Sequence, residues 1–385
     1  MDKIVSFLTA VVFTLLSFFG IPFESPDLKP IPQTSVRLTE EEAEILSSVF
    51  DSETTWLASI QLDNGAIPMT FCKNGEVSVN PYFADIAALA LLDCGEKYIS
   101  QVKDYTEWHF SHLNTNETDY NGIDGTIYDY VVTVNDSKVV SETIATVNGI
   151  KSYDSTDSYA ATFLCVLKKY YDVTGDKEYI ISKSRDIRRI TDAMFSTLSN
   201  GLTFAKPDYE VRYLMDNCEV YNGSVAASEL LKISGNNEYA KKCEHIAEKI
   251  RYSINGKLMN YFNGNYHVAT DKANQTVIDF SWDKYYPCAT AQLFPILCGV
   301  VSPNTERAVS LYNKFCEVYC WENFDIPDIF CWGSNVYTAA LMGDTERVVR
   351  YMTKYKNTFA DHTYPLYNAD SARVAMAAKK LLDSK

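Results

Sequence analysis

The strongest constraint on this chain is an alternation between two kinds of helix. Helical periodicity marks about twelve helices. Those beginning near Tyr82, Asp157, Asn217, Tyr285, Gly333 and Ala369 are dense in Ala, Leu, Val, Cys and Tyr. Between them lie segments such as Lys97 to His112, Lys177 to Leu198, Glu238 to Ser253 and Thr345 to Phe359, which carry charge on one face. A helix that is apolar all round must be covered on most sides, whereas an amphipathic one can lie at the surface. Six inner helices inside six outer ones satisfy both demands. The expected fold is therefore an all-α toroid of helical hairpins, with short β excursions in its loops. No repeat of fixed length is visible, which disfavours a regular solenoid.

Local signals place the boundaries. Thr39 followed by Glu42 reads as a capping box opening the first helix, and Pro81 suits a first helical position. Leu113 to Ile150 reads as a long polar loop with a small hairpin around Ile127 to Val134, and loops of that length are usually functional. A second β excursion is expected from Met259 to Ile278, with Gly264 and Asn265 at its turn. Ahead of the helices, Asp2 and Lys3 precede a nearly unbroken apolar run from Ile4 to Gly20, closed by Pro22 and Pro26. Residues 1–26 thus read as a signal peptide or N-terminal membrane anchor, 27–38 as a linker and 39–385 as one domain. The expected location is secreted or cell-surface, with that segment as the one possible membrane tether.

The formal net charge of −15 repels phosphate backbones, and no basic run offsets it, so nucleic acid is excluded as a partner. Anionic polysaccharides are disfavoured without a local basic site. Much of the aromatic share of 27 Tyr, 19 Phe and 5 Trp is core, and Tyr and Trp offer flat apolar faces with polar tips that suit both helix packing and sugar rings. Ten cysteines fall mostly inside apolar helical patterns, where Cys acts as a small buried hydrophobe. No C-x-x-C pair occurs, so neither a zinc site nor another metal or cofactor is expected. His109 and His112 read as a surface pair on an amphipathic helix. Trp56 and Trp108 read as core. A monomer is expected.

In a toroid the inner helices run parallel, so the segments leading into them collect at one end. One rim would gather Tyr82, Asp124, Tyr128, Asp129, Asp154, Asp157, Tyr159, Asp216, Glu219, Tyr221, Trp282, Asp283 and Trp332. Carboxylates to bind hydroxyls and move protons, beside aromatic faces, are what glycan cleavage requires. Asp157 and Glu219 are the first choices for the catalytic pair, with Asp216, Asp154 and Asp124 in reserve. Tyr82, Tyr128, Tyr159, Tyr221, Trp282, Asp283 and Trp332 are the substrate-binding choices. The structural alternative is capping. Ser155, Thr156 or Asp157 can each cap the helix that follows, and Asp216 with Glu219 can form a capping pair.

The helix pattern, Asp154-x-x-Asp157-Ser-Tyr-Ala and Leu214-Met-Asp-Asn-Cys-Glu-Val-Tyr resemble the six-hairpin glycosidase superfamily, over most of the chain after Thr39. The stretch from Asp154 to Leu164 is also loosely similar to the acidic helix start of glycoside hydrolase family 8, although that family's Glu-Gly pattern is absent. The resemblance implies an (α/α)6 barrel and an inverting hydrolase acting on a neutral or weakly charged polysaccharide or oligosaccharide. Inversion would place the two carboxyl groups roughly 6.5–9.5 Å apart, and a covalent intermediate about 5–5.5 Å. Two other readings stand beside it. One is a catalytically silent glycan-binding or assembly protein, and the other a polysaccharide lyase, for which Arg212 beside Tyr213 is the one hint.

Overall fold

The computed structural model describes residues 25–31 and 37–384. The chain is mostly α-helical. In order, the helices are α1 (Glu40–Ser59), α2 (Pro81–Leu92), α3 (Ile99–Ser111), α4 (Asp157–Thr174), α5 (Lys177–Ser182), α6 (Ser184–Met194), α7 (Leu214–Ile233), α8 (Asn237–Ser253), α9 (Phe294–Leu297), α10 (Glu306–Val318), α11 (Gly333–Met342), α12 (Thr345–Thr358) and α13 (Asn368–Leu382).

The apolar helices pack on one another in a fixed succession. α2 lies against α4, α4 against α7, α7 against α9, α9 against α11, α11 against α13, and α13 back against α2. The amphipathic helices pack outside them, α8 on α7, α6 on α4, α12 on α11, and α1 on α13. At one close crossing Gly223 of α7 faces Ala161 of α4, where an added Cβ would come within 2.6 Å of the Ala161 side chain.

Side-chain caps are more frequent on the amphipathic helices, although α3 and α6 lack them. Thr39, Asp176, Asn236, Thr305 and Asp344 each accept a backbone N–H with their side chains at the starts of α1, α5, α8, α10 and α12. The capping box is present as expected, with Glu42 Oε2 accepting from the Thr39 N–H at 2.8 Å. Of the inner helices only α2 has such a cap, from Asn80. The positions before α4, α7, α11 and α13 (Thr156, Tyr213, Trp332 and Tyr367) make none.

Two expected helices differ. The segment from Tyr285 to Leu297 is broken into a wide turn at Tyr285–Ala289 and the short α9. Pro287 is the cause: proline drives the preceding residue out of the helical region, and Tyr286 lies at φ −109°, ψ 136°. The segment from Lys177 to Leu198 is divided at Lys183, giving α5 and α6.

The long loop carries the expected hairpin, slightly later in the chain. β2 (Tyr130–Asn135) and β3 (Lys138–Ile144) are joined through Asp136 and Ser137, both at positive φ. β1 (Gly75–Val79) adds to β2 antiparallel, giving the order β1-β2-β3. The second excursion also forms, as short pairs within Met259–Ile278.

His109 is not on the surface. It is 1% exposed and stacks on Phe163 with ring centroids 3.5 Å apart, because the helix face read as polar is covered by α4. Burial pushes its pKa well below the usual imidazole value. His112 instead bonds Glu142 at 3.1 Å. Trp108 is buried, and Trp56 stacks on His362.

All ten cysteines are free thiols. Most of the apolar segment 1–26 lies outside the described residues. Part of the stretch read as a linker is docked: Asp27 accepts from Arg307 at 2.8 and 2.7 Å, and the Ile31 N–H donates to the Asn304 carbonyl. Among the described residues no helix is long and apolar enough to cross a membrane.

Candidate active site

The acids converge where α4 and α7 begin. Asp157 is the first residue of α4, and Asp216 and Glu219 lie in the opening turns of α7, which packs directly on α4. Asp157 is fully buried, Glu219 is 7% exposed, Asp216 is half-buried and Asp154 is exposed.

Asp157 does meet one unpaired N–H of the first turn of α4, and Glu219 makes no capping contact back to the start of its own helix. Asp157 Oδ1 accepts only the N–H of its neighbour Ser158, at 2.9 Å, and its Oδ2 is buried without a hydrogen-bond partner. Glu219 Oε1 accepts from the Tyr82 hydroxyl at 2.5 Å, reaching across to α2 rather than back to the start of its own helix.

Crowding three carboxyls in a dry place raises their proton affinity, since a buried charge is poorly solvated and each charge repels the next. Burial pushes Asp157 up to about 7, with Asp154 adding repulsion. Glu219 is likewise pushed to about 7 by burial, against the pull of the Tyr82 hydroxyl and the Arg373 guanidinium. Asp216 rises well above the carboxylate range, first through burial, then through Asp157, Glu219 and Asp154. All three thus have raised proton affinity, and Asp157 and Asp216 do not titrate independently of their neighbours.

Around it lies a second acid. Asp129 accepts from Tyr159 at 3.0 Å and from Asn80 at 3.1 Å, and burial lifts it to about 6. Tyr159 stacks beside Tyr82 at 6.2 Å, joining the two sets.

Aromatic rings continue outward from Tyr82. Phe83 lies next to it, Tyr367 next to Phe83, and Phe330 and Tyr364 next to Tyr367, at successive centroid distances of 5.6–6.2 Å. On another side Tyr286 packs on Trp332 at 5.2 Å, is 55% exposed, and feels Asp154, Asp216 and Glu219 electrostatically. Trp332 donates its indole N–H to Asp328 at 2.8 Å.

Other expected site residues lie elsewhere. Asp124 is clamped by Arg189 through contacts of 2.7–3.0 Å, in a turn where Gly125 comes so close to α6 that a Cβ would meet the Arg189 carbonyl at 2.6 Å. Tyr128 is buried, its hydroxyl held between the Tyr120 N–H and the Thr118 carbonyl. Tyr221 is half-buried and has Glu248 and Arg251 of α8 as its charged neighbours. Trp282 is half-buried, its carbonyl accepting from Tyr319, and Asp283 is exposed. Arg212 is a loop staple rather than a substrate group. Its guanidinium donates to Asn274, to the carbonyls of Asp271 and Lys272, and to that of Ser199. Among the described residues no cluster of three or more His, Cys, Asp or Glu could hold a metal ion.

Sequence reasoning passed over Tyr286 and Arg373. The first was legible as the residue forced into extended backbone by Pro287. The second was legible as a lone cation in the apolar run from Ala369 to Ala378.

No family model matches the chain, and no curated protein matches it in sequence. Solved structures do, and the fold is one found among glycosidases. A wild-type glycosidase superposes with a TM-score of 0.61 at 11% identity, covering 90% of this chain and 99% of its own. A glycosidase variant in complex with glucose gives 0.60 at 11% identity over the same shares. An α-amylase from Clostridium perfringens gives 0.55 at 14% identity, covering 91% of this chain and 99% of its own.

Proposed function

We propose that this protein is a glycoside hydrolase acting on a neutral or weakly charged glycan by carboxylate acid–base catalysis. The observation that carries the reading is the convergence of Asp157, Asp216 and Glu219, with raised proton affinity, beside the exposed Asp154 and an aromatic rim. The names of the structural neighbours, one of them holding glucose, support it. The return of the packing from α13 to α2 supports an (α/α)6 toroid of six hairpins, with the apolar N-terminal segment exporting or tethering the domain.

Glycosidic cleavage needs one carboxyl to protonate the leaving oxygen and another to activate water or attack the sugar. Asp154 and Asp216 reach solvent, whereas Asp157 and Glu219 lie behind them. We therefore assign proton donation to Asp216, whose proton is retained first by burial and then by repulsion from Asp157 and Glu219, and water activation to Asp154. Inversion is the stereochemical outcome proposed. Tyr286 and Trp332 supply faces on which a sugar ring lies.

The test is reducing-end release by purified protein from α- and β-glucans, mannans, xylans and chitosan. Asp216→Asn and Asp154→Asn should each lower the rate by about a hundredfold or more, with melting temperatures close to wild type. Complete burial of Asp157 favours one other reading, a glycan-binding protein without turnover. Binding to the same panel with no reducing ends released would establish that instead.

A further inference from the structure

A cavity of about 370 Å³ lies on the far side of Glu219 from the mouth. Every inner helix contributes to its wall, including Ile86 of α2, Cys165 of α4, Ala226 of α7, Leu297 of α9, Tyr337 of α11 and Arg373 of α13. Lys168, Asp172 and Glu229, near the ends of α4 and α7, also line it, so it opens at the opposite pole from Asp154. Its size suits a small molecule, since ligand sites begin at about 300 Å³.

The wall groups divide into engaged and free. Lys168 is held by Asp172 and Glu229, both at 2.6 Å, and Lys169 by Asp93 at 2.6 Å. Both lysines are thus already engaged, two cations against three carboxylates. Arg373, Tyr337 and Asn222 are different. None of the three side chains makes a hydrogen bond among the described residues; the Arg373 guanidinium lies 5.5 Å from the Tyr337 ring and acts electrostatically on Glu219, which shares the wall, and on Asp370. A guanidinium stays ionised and presents five donors in a planar fork suited to carboxylate and phosphate oxygens. The phenol and amide add neutral hydrogen-bonding groups, and Ile86, Leu89, Val225 and Met376 supply apolar surface. A few convergent polar groups in a largely apolar recess is how small-molecule sites are built.

We infer that this rear cavity binds a small anionic metabolite no larger than a monosaccharide acid, with its carboxylate or phosphate on Arg373 and its hydroxyls against Asn222 and Tyr337. The −15 net charge makes such a site local, its affinity coming from the guanidinium and its recess. The occupant lies behind Glu219, at the pole away from the aromatic rim, and does not compete with a glycan for the mouth.

Isothermal titration of the full chain at fixed ionic strength tests this, with glucuronate, inorganic phosphate and glucose as probes. Glucuronate is expected to bind at least about tenfold more tightly than glucose. Phosphate binding as tightly as glucuronate would identify the natural ligand as an oxyanion, and a marked preference for glucuronate would identify it as a carboxylated sugar. Arg373→Gln should weaken both anions by about tenfold or more. Val225→Trp fills the cavity from its exposed wall and serves should Arg373→Gln fail to fold, and it should abolish glucuronate binding. Absence of anion binding to wild type at millimolar concentration overturns the inference. So does binding that survives both substitutions. Neither result bears on glycan cleavage, which is read separately by reducing ends.

Discussion

The hydroxyl of Tyr82 donates to Glu219 Oε1 at 2.5 Å, joining the second residue of α2 to the second turn of α7 across 137 positions of sequence. This bond moderates the proton affinity of Glu219 from the other side of the packed helices. A donor to a carboxylate stabilises its charged form, so the bond holds Glu219 lower than burial alone would.

Tyr82→Phe removes that donor and leaves the ring in place. Glu219 should then hold its proton to a pH above its present value near 7, and the limb of the pH–rate profile that it governs should move to higher pH. The rate at the optimum should fall by about tenfold. A profile superimposable on wild type would detach Glu219 from the reaction.

Asp157→Asn should change stability in a pH-dependent direction. The carboxyl titrates near 7 in the folded chain and near the ordinary 3.9 when unfolded, so between those values the folded state binds the extra proton. Stability therefore falls as pH rises from about 4 to about 7, and the asparagine variant escapes that loss. Denaturant melts should show the variant near or below wild type at pH 4.5, and more stable by about 2 kcal/mol at pH 8. Equal differences at both pH values would mean that Asp157 does not titrate in this window.

Gly223→Ala probes how closely α4 and α7 must approach. The added methyl would lie 2.5 Å from the Ala161 Cα, so the helices must part. Overpacking of this kind costs about 1–3 kcal/mol. Because Asp157 and Asp216 sit on those two helices, catalysis should fall along with the melting temperature, and a variant of normal activity would show that their spacing is not critical.

Tyr286→Ala tests the aromatic rim. The ring is 55% exposed and makes no hydrogen bond to a described residue, so its loss should leave the melting temperature within a degree or two. KM for the preferred glycan should rise about tenfold with kcat changed far less, the sign of lost uniform binding. A drop in kcat alone would give Tyr286 a role in the reacting geometry.

What could be read from the chain follows from where the physics is local. Six strongly apolar segments alternating with charged-face segments demand two layers, and the helices at Pro81–Leu92 and Gly333–Met342 begin and end where their residues alone place them. The Thr39 capping box is equally local. Asp157, Asp216 and Glu219 lie near one another because α4 and α7, at whose starts they sit, pack directly together. Tertiary contact decided the rest. Asp124 carries the same acidic signal as Asp154, but only the folded chain brings Arg189 beside it. Tyr128 and Tyr159 look alike in sequence, and packing closed off the first while placing the second beside Tyr82 and Asp129. Composition cannot say which face of α3 is covered, so His109 read as exposed until α4 was seen lying over it. Proton affinity is the clearest case: a carboxyl's pKa depends on the water and charges around it, which three-dimensional packing alone determines.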